Sequence, residues 1–243
     1  MPGLIVIGAG LQAAAILGRF RSDGWRVAAI VSSRDAAGTD LADTVSARDP
    51  GRVTGDAGEP ESLRKALSQA RDELAGVSII VNAPSVPRRW PGEPFGGGPI
   101  ADASLEQYQR WGTALAATTF VFLSEGACLL REAGDGGSLI QVTGSAGRRA
   151  RPGEGLWTAG HIAARALVQA AAQELRSEGI RACHLLIDAA VGPTRELAAL
   201  AGEGETVVQQ EEVAGAVAFL AAQSRSGMTY ELELTTAGQP WIP

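Results

Sequence analysis

Lysine is almost absent from this sequence of 243 residues, in which Lys65 is the only one. Tyrosine occurs twice, as Tyr108 and Tyr230, and neither stands four residues ahead of a lysine. Side chains at that spacing share one helix face, so a phenol assisted by an ammonium one turn along the same helix is excluded as an acid–base device. Cysteine also occurs only twice, which excludes a disulfide framework or a cysteine-rich metal cluster. Cys128 and Cys183 fall in apolar segments and are expected to be buried free thiols, and no metal site is expected. Positive charge is in deficit, with 21 Lys and Arg against 27 Asp and Glu, a net charge of -6 and a pI near 5.1. That balance argues against affinity for nucleic-acid phosphates or anionic membranes. No apolar run of membrane-spanning length stands out, and the opening Met-Pro-Gly-Leu-Ile-Val-Ile-Gly carries no basic n-region or cleavage signature. A cytoplasmic protein with neither a nucleic-acid nor a membrane partner is the expectation.

What is present describes a globular chain, with 45% hydrophobic and 20% charged residues and no long polar tract. Short apolar runs at 4–7, 27–31, 77–81, 138–142, 181–187 and 231–234 alternate with helical patterns at 12–22, 60–74, 104–132, 161–178 and 211–222. This alternation predicts one α/β domain over 1–243, a doubly wound Rossmann-type parallel sheet of about seven strands with helices on both faces. Residues 84–99 form an unusual Pro- and Gly-rich stretch with Trp90 and Phe95. It leaves the carboxyl end of a central strand, where such sheets place their ligands.

The first strand opens into Gly8-Ala9-Gly10-Leu11-Gln12-Ala13, which fits a G-x-G-x-x-G/A turn between strand and helix. Small residues at Gly8 and Gly10 let a pyrophosphate approach the helix N-terminus, where the dipole favours anions. After the second strand comes Ser32-Ser33-Arg34-Asp35, and Arg34 suits the extra phosphate of NADP. Gly55-Asp56-Ala57 and Asn82-Ala83-Pro84 follow the next two strands. The cofactor-binding candidates are thus Gly8, Gly10, Gln12, Arg34, Asp56, Ala57, Asn82 and Ala83.

In this order and spacing, with GSLIQVTGSAG on the fifth strand and WTAGHIAARALVQAAAQELRSEGIRACHLLIDAAV behind it, these motifs resemble the short-chain dehydrogenase/reductase family over nearly the whole chain. The resemblance implies NAD(P)-dependent oxidoreduction by an Asn-Ser-Tyr-Lys tetrad, in which the tyrosine moves the proton and the lysine holds the nicotinamide ribose. Here the matching positions are Leu115, Gly144, Trp157 and His161. A shift of one residue would put Ser145 at the serine position. The family's glycine turn also departs, since Gln12 and Ala14 stand where it places glycines, and Pro84 replaces the glycine of its Asn-Ala-Gly.

Three functions fit these departures. In the first, the chain is a pseudo-oxidoreductase serving as a structural or regulatory subunit, alone or paired with an active relative, with NADP bound weakly or not at all. In the second, it is an NAD(P)-dependent reductase in which Ser145, His161 or water supplies the proton. In the third, the old pocket runs non-redox acid–base chemistry, with His161 titrating and Trp157 as an apolar wall. Family members pair through the two long helices, so the resemblance implies a dimer or tetramer or a hetero-oligomer with an active relative. Ala159, Ala163, Ala166 and Ala170 would form a narrow helix face for close approach.

Overall fold

The computed structural model describes residues 2–32, 51–84, 92–192 and 207–236. Seven strands form one parallel sheet: β1 (Gly3–Ile7), β2 (Arg26–Val31), β3 (Arg52–Thr54), β4 (Ile79–Asn82), β5 (Gly137–Gly144), β6 (Ile180–Asp188) and β7 (Glu231–Thr235). Their order is β3-β2-β1-β4-β5-β6-β7, so the winding reverses between β1 and β4. Ile7 lies beside Asn82 there, and the cleft beyond their carboxyl ends is the ligand position of an open α/β sheet. Every residue of β1 is buried, which is why it reads as a continuous apolar run without alternation.

Two helices cover one face. α1 (Leu11–Ser22) and α5 (Gln210–Ala222) pack Ile16, Phe20, Val213 and Leu220 onto Leu4, Val6, Ile140 and Leu185. The other face carries α2 (Pro60–Leu74), α3 (Ala114–Ala133) and α4 (Gly155–Glu174), which set Leu67, Phe122, Leu130 and Val168 against Ile5, Ile30, Ile80 and Leu139. α2 shows how pattern becomes packing: Pro60 starts it, and Leu63, Ala66, Leu67, Ala70 and Leu74 fall on its buried stripe.

The structure departs from the sequence pattern in five places. β3 spans only three residues, too few to show a period. β4 begins two residues later than expected, at Ile79. The helix expected at 104–132 is interrupted: after a single turn capped by Ser104, Tyr108–Thr113 widens into a π-turn before α3 begins. Glycines permit this turn to lie on α4, because a Cβ at Gly160 would stand 3.0 Å from the Gly112 carbonyl oxygen. α4 itself starts at Gly155, earlier than the pattern at 161–178, and its last turn tightens to a 3-10 turn at Arg176–Glu178. Finally, Cys128 is exposed on the outer stripe of α3, whereas Cys183 is buried as expected, its thiol donating to the Thr229 carbonyl at 3.0 Å.

Residues Leu105–Ala133 do reach membrane-spanning length and apolarity, contrary to the expectation that no run would. Of an apolar 18-residue part of it, 56% is buried inside the protein, as befits a core helix between α2 and α4.

Candidate functional site

The cleft at the carboxyl ends has two parts. The first is built mainly from backbone. Gly8 has φ +136°, and a Cβ on it would lie 2.2 Å from the Ala83 carbonyl oxygen, so only glycine lets β1 turn here against β4. Gly10 then caps α1 in an extended conformation, with no side-chain cap and no acidic residue in the first turn. The first amides of α1 and the positive end of its dipole are left for an anion. Gly8, Asp56, Ala57 and Asn82 line a cavity of about 160 Å³ beside this turn; Ala83 is buried and meets the turn through its carbonyl oxygen rather than lining the cavity. Asp56 is internally engaged, its carboxylate accepting from the Gly58 amide at 2.9 Å. The Asn82 side chain, 1% exposed, donates to Gln141 Oε1 at 2.9 Å and so ties β4 to β5. Arg34 lies outside the described residues.

The second part is built from side chains. A cavity of about 540 Å³ brings together Gln12, Leu115, Gly144, Ser145, Trp157 and His161. All four positions that match the tetrad, and Ser145 beside them, therefore face one space. Gly144 has room to spare: a Cβ there would meet only the Ile187 carbonyl oxygen, at 3.9 Å. Ser145 begins a 3-10 turn, Ser145–Gly147, and is half-buried.

Aromatic rings fill the wall where a tyrosine and lysine would stand. Trp157 lies tilted against His161 with centroids 4.0 Å apart, and Phe95 and Trp111 lie 5.4 and 5.8 Å from Trp157. Trp111 is almost wholly buried, and its indole N–H has no hydrogen-bond partner among the described residues. His161 is buried as well. Its Nδ1–H donates to the Trp157 carbonyl at 2.9 Å, and burial pulls its pKa from the ordinary 6.5 down to about 4. At neutral pH the ring is uncharged, and Nε2 carries a lone pair rather than a proton.

Behind this wall lies a polar chain that the sequence motifs did not point to. Thr143 Oγ1 is 2.7 Å from Nε2 of the fully buried His184, whose Nδ1 lies 3.6 Å from Glu231. Arg165 grips Glu231 with two hydrogen bonds, and Arg149 grips the buried Asp188 the same way. Burial lowers the His184 pKa too. A Cβ on Gly147 would meet Thr143 Oγ1 at 3.2 Å, so this hydroxyl sits beneath the 3-10 turn, bonded to His184. The chain braces β5, β6 and β7 under the cavity. Phe95 comes from the Pro- and Gly-rich stretch that the sequence placed at the ligand end, whereas Trp111 and His184 are the residues that motif reading missed, and for His184 the only signal was a polar side chain inside an apolar strand.

A family model described as enoyl-(acyl carrier protein) reductase matches residues 10–236. The chain belongs to the short-chain dehydrogenase/reductase superfamily. Solved relatives superpose over almost the entire length. An acetoin dehydrogenase from Enterobacter cloacae is 17% identical with a TM-score of 0.76, covering 100% of this chain and 99% of its own. A short-chain dehydrogenase from Rhodopseudomonas palustris is 21% identical with a TM-score of 0.72, covering 97% and 98%. At such identities the likeness shows the fold. In sequence, the "NADPH-dependent aldehyde reductase-like protein, chloroplastic" of Arabidopsis thaliana is 29% identical over 132 residues, 54% of this chain and 46% of the relative. The chain thus matches less than half the length of that curated relative. Short-chain dehydrogenases generally use NAD(P); in this chain Leu115, Gly144, Trp157 and His161, the residues that the motif order aligns with the family's tetrad, line one cavity.

Proposed function

We propose that this chain is a pseudo-oxidoreductase, a short-chain dehydrogenase fold that keeps its ligand cavity, has lost the proton relay and serves as a structural or regulatory subunit. One observation carries the reading: the tetrad-equivalent side chains share the cavity, and none of them supplies an acid suited to neutral pH. Leu115 and Gly144 have no polar side-chain atom, the indole of Trp157 is far too weak an acid, and His161 is held neutral with its one N–H committed to a carbonyl. The same burial weakens both alternatives that rest on His161. Ser145 or water is left as the donor for a reductase.

The residues fit half of a dinucleotide. Gly8, Gly10 and the open amides of α1 suit a pyrophosphate, with Asp56, Ala57 and Asn82 around the adjoining cavity and the Ala83 carbonyl against the turn. Gln12, in the first turn of α1, lines the larger cavity next to this turn, and among the described residues no ammonium lines that cavity to hold the nicotinamide ribose, the single lysine being Lys65 on α2. NAD(P), when bound, would supply the hydride; the chain's own part would be binding and orientation. Binding is accordingly weak or absent. NADPH is the form to test first, since the Arabidopsis relative is named for it.

A second copy, or an active relative, would cover the outer faces of α3 and α4. Phe120 on α3 and Ile162 on α4 are 59% and 47% exposed. Ala159, Ala166 and Ala170 are exposed on α4, with Ala163 half-buried beside them. Light scattering that shows a monomer at micromolar concentration, with no companion dehydrogenase recovered in a pull-down, would remove this part of the reading.

The function is tested with a ketone panel and both dinucleotides on three proteins: wild type, His161→Ala, and the triple replacement Gly144→Ser, Trp157→Tyr, His161→Lys. Loss of general acid catalysis costs about 100-fold to 10,000-fold, and loss of a donor to the substrate oxygen about as much again. No useful turnover in the wild type is the expected result, and activity gained only in the triple replacement would support a surviving cavity. Robust wild-type turnover, or micromolar NADPH binding by calorimetry, would overturn the pseudoenzyme reading.

A further inference from the structure

At the opposite end of the sheet, the amino ends of β4, β5 and β6 and the carboxyl end of α5 enclose another cavity, of about 330 Å³. Three arginines line it, Arg176, Arg181 and Arg225, against a single carboxylate, Asp135. They differ from most of the other arginines. Eight other arginines among the described residues each hold a carboxylate within 4.0 Å. None of these three does so among the described residues.

The groups are also held in place. Arg181 is half-buried, and its Nε donates to Ser138 Oγ at 3.2 Å and its Nη1 to Gln223 Oε1 at 3.4 Å. Both partners are neutral, so the guanidinium is oriented without being neutralised. Gln223 is pinned in turn by Thr229, whose amide donates to the same Oε1 at 2.9 Å. Arg225 lies against Gly179, where a Cβ would stand 2.3 Å from its Nη2, and against Gly136, where a Cβ would stand 3.4 Å away. Two residues without side chains thus make the berth for this guanidinium. Trp25 and Met228 add an apolar wall.

Guanidinium groups present planar forks that match phosphate oxygens, and like charges gathered at a partly desolvated site are relieved by a shared anion. The volume exceeds that of a bare phosphate and sits at the lower end for small-molecule sites. We infer that this cavity binds a small phosphorylated molecule, its phosphate held by Arg176, Arg181 and Arg225 and its apolar part laid against Trp25. The site lies at the far end of the sheet from the dinucleotide turn and does not depend on the function proposed above.

The probe is phenyl phosphate, read by thermal unfolding and by calorimetry against sodium chloride at matched ionic strength and against benzoate. Saturable stabilisation by phenyl phosphate beyond both controls is the expected result. The double replacement Arg176→Gln, Arg225→Gln removes two exposed groups and should weaken the apparent affinity about tenfold or more, as expected for lost charged hydrogen bonds. Gly10→Asp, which obstructs the dinucleotide turn, should leave the response unchanged. Four results would overturn the assignment: no effect beyond chloride, an equal effect from benzoate, an undiminished response in the double replacement, or a response abolished by Gly10→Asp. Unfolding midpoints in chloride alone report whether each variant is folded.

Discussion

The two parts of the carboxyl-end cleft are made of different materials. Beside α1 the cleft is backbone: a left-handed glycine at Gly8, a bare N-terminus at Gly10 and the Ala83 carbonyl packed against the turn. Beside α4 it is side chain: Trp157 over His161, with Phe95 and Trp111 behind. Backbone geometry persists through any substitution that spares the few positions with no room for a Cβ. Catalytic chemistry disappears when the side chains change, even though the cavity they line stays open. Here the dehydrogenase fold persists from end to end while Leu115, Gly144, Trp157 and His161 line the cavity beside α4.

Four substitutions would break or sharpen this contrast. Gly8→Ala forces a Cβ onto the Ala83 oxygen at a backbone angle that L-residues avoid, and strain plus overpacking should cost about 4 kcal/mol or more. Urea unfolding measures this, and a cost below about 1 kcal/mol, small even for overpacking, would mean that the backbone part is not rigid. The next effect belongs to the aromatic side. With its pKa at about 4 in the fold and 6.5 unfolded, His161 binds a proton in the unfolded chain first as pH falls. Its contribution to stability is therefore complete above pH 6.5 and is lost as pH drops toward 4, a total of about 3 kcal/mol. His161→Leu should flatten that part of a stability–pH curve, leaving the slope from His184, whose pKa is lowered in the same direction. An unchanged curve would place His161 in contact with water.

Smaller effects follow. Gln12→Gly clears the phosphate approach and should tighten NADPH binding roughly tenfold, about 1.4 kcal/mol; no change in calorimetry would discard obstruction as the cause. Ala166→Glu on the outer face of α4 should alter folding stability by less than about 0.5 kcal/mol, as exposed substitutions do. It should nevertheless dissociate any assembly that uses this face, as seen by light scattering.

The aromatic side was the less legible in the sequence. The glycine turn could be read because Gly8 and Gly10 adjoin the first strand and their spacing is a local property. The cluster of Phe95, Trp111 and Trp157 could not, since those residues come from a 3-10 turn, a π-turn and a helix that meet only after folding. The helical pattern at 104–132 hid the π-turn because Gly112 changes nothing in its apolar period. The exposure of Cys128 was hidden for a related reason: α3 is apolar on its outer stripe as well, with Phe120 exposed there. β3 could be placed only by the Gly55-Asp56-Ala57 that follows it, because three residues carry no periodicity.

By itself the sequence determined the sheet, from apolar runs too continuous for a one-sided surface, and the loss of the tyrosine–lysine pair, from the presence of a single lysine. Both follow from which residues are present and in what order. Only the tertiary structure decided that Leu115, Gly144, Trp157 and His161 share one cavity, that His161 stays neutral, and that Arg176, Arg181 and Arg225 line one cavity with Asp135 as its one carboxylate among the described residues. These are matters of distance and desolvation, and neither exists until the chain has packed.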